Sequence, residues 1–125
     1  MNSRHLFNLS AITEIVTGLA LLAVPALVIE LLFGGSLSFG GLTVARVLGV
    51  ALLSVGVAGY ESPGEDAGIA PRLGLCTYNI GAAVVFAIFG SLSTSSGILL
   101  WPAVLLHGLI GVAMLRVIGP SFRTN

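Results

Sequence analysis

The chain has 125 residues, 56% of them hydrophobic and only 8% charged, with a formal net charge of zero. A soluble domain usually carries about 25% charged residues, so this chain lacks the charge to cover itself with a water-facing surface. There are no lysines and no basic patch with interleaved aromatics, which argues against nucleic acid as a partner.

The length suits one integral membrane domain over residues 1–125. A helix needs about 20 apolar residues to cross the hydrocarbon core. Four stretches qualify, at about residues 9–33, 40–60, 73–92 and 98–118. The first is about 25 residues long, beyond the roughly 7–15 of a signal-peptide core, and is expected to be a retained span. Pro25 deprives the Leu21 carbonyl of its helical donor and is expected to bend that span. Such a bend either opens a pocket between helices or only improves packing.

The connections are short. Gly34-Gly35-Ser36-Leu37-Ser38 and Ser93-Thr94-Ser95-Ser96-Gly97 are uncharged turns, and Glu61-Ser62-Pro63-Gly64-Glu65-Asp66-Ala67-Gly68 is a polar loop. Short links make consecutive helices antiparallel neighbours, so the expected fold is all-α, a four-transmembrane-helix up-down-up-down bundle. Arg4, Arg72, Arg116 and Arg123 fall on one side of it, and the two loops opposite carry no charge. Basic residues flanking spans stay inside. Both termini are therefore expected to be cytoplasmic, in a multi-pass protein of the cell inner (cytoplasmic) membrane. The Asn8-Leu9-Ser10 sequon lies on that same side and is not expected to be glycosylated.

Ionisable groups within spans are costly and usually face the bundle interior. At 1.5 Å rise per residue, Glu14 and Asn79 fall on the cytoplasmic side of the midplane, His107 close to it, Arg46 towards the outside and Glu30 near the outer interface. Two clusters are expected. Glu14 meets Asn79, with Tyr78 and Cys76 nearby; Arg46 meets Glu30 or His107. Glu14 and Glu30 fall on nearly opposite faces of an ideal helix at about 100° per residue and are not expected to share a site.

The ligand-binding candidates are Glu14, Arg46, Asn79 and His107; no catalytic residue is assigned. Glu14 suits a proton carrier, a general base or a cation ligand, or else a residue that holds two helices together. Arg46 suits an anchor for an anion or headgroup, or else an ion pair with Glu30 or a chain snorkelling to the outer surface. His107 suits an axial haem ligand or an interhelical hydrogen bond. Cys76 is the sole cysteine and reads as a packing residue. Trp101 and Tyr60 fit interfacial anchors at the outer and inner sides. Ala45, Gly49, Gly56 and Gly59 form a small-residue stripe, a contact line within the bundle or a seam between subunits. No spacing of metal ligands, phosphate-binding loop or serine nucleophile elbow is present, and no metal site is expected. No cofactor is predicted either, haem through His107 or a quinone being the two that the residues would admit.

The run Gly18-Leu19-Ala20-Leu21-Leu22-Ala23-Val24-Pro25, then Leu31-Leu32-Phe33-Gly34, then Ala45-Arg46-Val47-Leu48-Gly49 resembles the DoxX-like group of small four-helix membrane proteins. The resemblance covers roughly the first half of the chain. It implies a four-helix bundle, in a group some of whose members look like partners of redox systems, and it carries over the Arg46–Gly49 step without an active site.

Three roles follow. The first is a non-enzymatic subunit, anchor or assembly partner of a larger membrane complex or a homo-oligomer, since few residues lie outside the bilayer. The second is a bundle that binds a lipid, quinone or isoprenoid, and that is an enzyme if Glu14, Arg46 and His107 do chemistry on it. The third is an oligomeric channel or transporter.

Overall fold

The computed structural model describes residues 3–62, 64 and 67–119. Pro63, Glu65, Asp66 and Arg123, which figured in the loop and charge patterns above, lie outside the described residues. The described chain contains the helices α1 (Ser3–Ala23), α2 (Pro25–Phe33), α3 (Phe39–Gly59), α4 (Ile69–Leu92) and α5 (Leu100–Ile118). Four of them, α1, α3, α4 and α5, are long and apolar enough to cross a membrane. Large apolar side chains are exposed along all four, among them Val16, Val44, Val85 and Leu109. So much outward apolar surface needs lipid as its solvent. The protein is a multi-pass membrane protein.

The first expected span is not one bent helix. It divides at Val24, which leaves helical geometry (φ −134°, ψ 55°), and Pro25 opens α2. Proline suits a first-turn position, where its missing N–H would be without a helical partner anyway. The helix also begins at Ser3, six residues before the apolar run, because Phe7 and Leu6 are buried in the core.

Helix α4 starts at Ile69 rather than near Leu73, since Pro71 fits inside its first turn for the same reason. Ser38 caps α3: its Oγ accepts a hydrogen bond from the Gly41 N–H. The start of α5 is set by α2. Gly97 N–H donates to Leu32 O at 3.1 Å and Leu99 N–H to Leu31 O at 2.8 Å, so the turn before α5 absorbs carbonyls that the end of α2 leaves open.

The small-residue stripe of α3 is a contact line inside the bundle. Gly49 faces Gly18, and Gly56 faces Ala11, on α1. A β-carbon on Gly56 would stand 2.6 Å from the Ala11 carbonyl oxygen. The α1–α3 and α4–α5 pairs form the most extensive helix contacts. Leu6, Phe7, Leu75, Met114 and Ile118 make one apolar core near the loop that joins α3 to α4; Leu21, Ala45 and Leu52 make another.

That loop is fastened to α1. Asn8 Nδ2 donates to Glu61 O at 2.9 Å, and Glu61 N–H donates to Asn8 Oδ1 at 2.8 Å. Arg72 Nε donates to Glu61 Oε1 at 2.7 Å, and its guanidinium lies 5.1 Å from the centroid of the Phe7 ring.

Candidate functional site

The interior of the bundle holds a polar network built from three helices. Ser10 and Glu14 come from α1, one turn apart on the same face; Tyr78 and Asn79 come from α4; His107 comes from α5. Ser10, Glu14 and Asn79 are fully buried and His107 is 8% exposed. Asn79 is the hub. Its Nδ2 donates to Ser10 Oγ at 2.7 Å and to Leu75 O at 2.8 Å, and its Oδ1 lies 3.0 Å from His107 Nδ1.

Glu14 does not join this network as a hydrogen-bonded member. Its Oε1 lies 3.9 Å from His107 Nδ1, and neither carboxyl oxygen has a hydrogen-bond partner among the described residues. Tyr78 lies beside it. A buried carboxyl group without donors is costly in a span, which marks this position as one that packing alone does not explain.

Glu14 does not pair with Asn79, whose amide is used up by Ser10, Leu75 and His107. His107 belongs with Glu14 and not with Arg46. A first span that begins at Leu9 places Glu14 and His107 at different depths. With α1 starting at Ser3, the middle of that helix moves towards its N-terminus and Glu14 comes level with His107.

Arg46 stands apart. It is exposed on the outer face of α3, beside exposed Val47 and Val50, and has no ion pair among the described residues. Glu30 is also exposed, on α2, and forms no pair with it. The break at Val24 puts Glu30 on a separate helix, α2, rather than on a continuation of α1.

A cleft of 470 Å³ opens between α1, α2, α4 and α5. Its walls are apolar: Val28 and Leu31 from α2, Phe86 from α4, Ala103 and Leu106 from α5. Its polar end is formed by Thr13, Thr17, Tyr78 and His107. The aromatic edges are ordered around the imidazole, with Tyr78 and Phe86 packed edge-on to it at centroid distances of 5.7 and 6.0 Å. The volume falls in the range of about 300–1,000 Å³ typical of small-molecule sites. The cleft and the Ser10–Asn79–His107 network share His107.

No family model, curated protein or solved structure matches the chain. What the site's geometry offers is an apolar groove at membrane depth, with one histidine at its polar end and a carboxyl group behind the ring. Sequence reasoning found Glu14, Asn79 and His107 but missed Ser10, although Ser10 lies one turn from Glu14 on the same helical stripe. It also missed Thr13 and Thr17, whose short hydroxyls resemble ordinary span residues. Cys76 is buried among apolar neighbours, with Sγ 3.9 Å from the Gly111 carbonyl oxygen, as a packing residue would be.

Proposed function

We propose that this membrane protein binds an apolar small molecule of the lipid, quinone or isoprenoid class, drawn from the bilayer into the cleft between α1, α2, α4 and α5. One observation carries this reading: the apolar cleft ends at a buried histidine that is itself held by the Asn79 network. A site for an apolar molecule needs wide apolar walls and a few placed polar groups that set orientation. The Val24 break supplies the room, because it lets α2 and α5 line one groove. In this reading the helices run up-down-up-down with both termini cytoplasmic, in the inner membrane. The DoxX-like resemblance agrees with such a bundle and assigns no ligand.

Native mass spectrometry of the protein released from membranes tests the proposal. A bound small molecule is expected with the wild type. Ala103→Phe fills the wall of the cleft and is expected to abolish it while the protein stays folded. Equal ligand occupancy in the two proteins would sink the assignment of the cleft.

A second reading is favoured by Arg46. A guanidinium on the lipid-facing side of α3 either snorkels to the outer surface or meets an acidic group on another chain. The latter would make the protein a subunit of a larger membrane complex or a homo-oligomer, a role compatible with ligand binding.

A further inference from the structure

The hydrogen bonds around Asn79 determine which hydrogen the His107 ring carries and, through it, the chemistry of the ligand's head. The Leu75 carbonyl can only accept, so the Asn79 atom 2.8 Å from it is the amide nitrogen. Turning the amide over would set two acceptor oxygens against each other at that distance. The same nitrogen donates its second hydrogen to Ser10 Oγ at 2.7 Å. Both amide hydrogens are then used, and the group facing His107 is the acceptor Oδ1. His107 Nδ1, 3.0 Å away, must be the donor.

A neutral imidazole has one N–H, and the Asn79 contact occupies it. The 3.9 Å separation of Nδ1 from Glu14 Oε1 is too long for a competing hydrogen bond. Nε2 is then a bare acceptor. Among the described residues nothing bonds to it, yet it is not one of the sealed-off orphan atoms. It lies on the side of the ring away from Asn79, the side left to meet the cleft that His107 lines.

We propose that the ligand's head is a hydroxyl group that donates a hydrogen bond to Nε2 of His107, so that the cleft selects apolar alcohols, phenols or quinols over ethers and ketones of the same shape. This rests on the binding role proposed above for the cleft. The discrimination is physical. A head with acceptors only would set its lone pair against that of Nε2 and leave a buried nitrogen without a donor, which is a larger penalty than a missing contact.

The test uses the whole protein in lipid nanodiscs and two probes, farnesol and farnesyl methyl ether, which differ in the hydroxyl hydrogen. Farnesol is expected to bind about tenfold more tightly than its ether. Nitrogen-15 spectra of histidine-labelled protein, with His5→Gln removing the second signal, are expected to show Nδ1 protonated and Nε2 bare. Asn79→Leu removes the acceptor that holds the tautomer, and the preference for the alcohol is expected to fall away. Equal affinity for the two probes, or a proton on Nε2 in the resting wild-type protein, would overturn the inference and leave the cleft as a binding site. Failure of both probes to bind would remove the binding role itself, and this inference with it.

Discussion

Gly18 and Gly49 meet with their backbones almost in contact: a β-carbon on Gly49 would stand 2.8 Å from the Gly18 carbonyl oxygen. Backbone cannot swing aside as a flexible side chain can, so the helices α1 and α3 would have to part. Gly49→Ala is expected to destabilise the protein by about 1–3 kcal/mol, the usual cost of overpacking. Gly74, on α4, has nothing within 4 Å of its β-position. Gly74→Ala should be neutral or should stabilise by about 0.4–1 kcal/mol through lost unfolded-state freedom. Equilibrium unfolding in mixed micelles compares the two. A similar response of both variants would contradict the close approach.

The clasp between Asn8 and Glu61 uses backbone groups of Glu61 at both ends. Asn8→Ala leaves both without their partner and is expected to cost about 1 kcal/mol or more. Glu61→Gln keeps those two bonds and gives up only the charge facing the partly exposed Arg72. Glu61 is buried, but glutamine keeps an oxygen that can accept from Arg72 Nε, so the cost should stay near about 1 kcal/mol. Thermal melts of the two variants should rank Asn8→Ala as the more damaging.

Ser10 and Asn79 join α1 to α4 through a single bond of 2.7 Å. Interhelical hydrogen bonds in membranes contribute about 0.6 kcal/mol on average and about 1.7 at most. Ser10→Ala should therefore be mild. Asn79→Ala should be worse, since it strips partners from both Ser10 and His107. A double-mutant cycle between positions 10 and 79 is expected to give a coupling in that range, and zero coupling would remove Ser10 from the network.

Arg46 touches no charged partner among the described residues. Arg46→Leu should leave farnesol binding within about twofold of wild type, because surface changes away from a site act weakly. If the α3 face contacts another chain, the same substitution should change the oligomeric mass measured by light scattering. A large loss of ligand affinity with unchanged mass would place Arg46 in the site after all.

Topology is open to labelling. Cys76 is 3% exposed and should resist a membrane-impermeant maleimide. A cysteine at Ser95 should react from outside the cell, and one at Ala67 only after the membrane is opened. The opposite pattern would reverse the orientation drawn from Arg4, Arg72 and Arg116.

Composition and hydropathy were enough to place the chain in lipid and to count its spans, because a helix of about 20 apolar residues has no other stable solvent. The ends of α3 and α5 were also legible to within two residues, since turn residues mark them. Pro25 announced a disturbance in the first span but not its form. Pro25 frees the Leu21 carbonyl whether the helix bends or divides, and the position of α2 is held by a tertiary contact, the turn at Gly97 and Leu99 binding the Leu32 and Leu31 carbonyls at its far end.

The polar site was legible as residue types and not as partners. Glu14, Asn79 and His107 stood out because each is costly in hydrocarbon, a property of the side chain alone. Who meets whom depends on the relative rotation and level of the helices, and close approaches such as that of Gly111 on α5 to Asn79 and Ile80 on α4 set these. The packing brought His107 to Asn79, set Ser10 of α1 against Asn79 of α4, and turned Arg46 outward. Solvent preference is written residue by residue, whereas partnership requires atoms within about 3 Å of each other, and only the assembled bundle sets distances that fine.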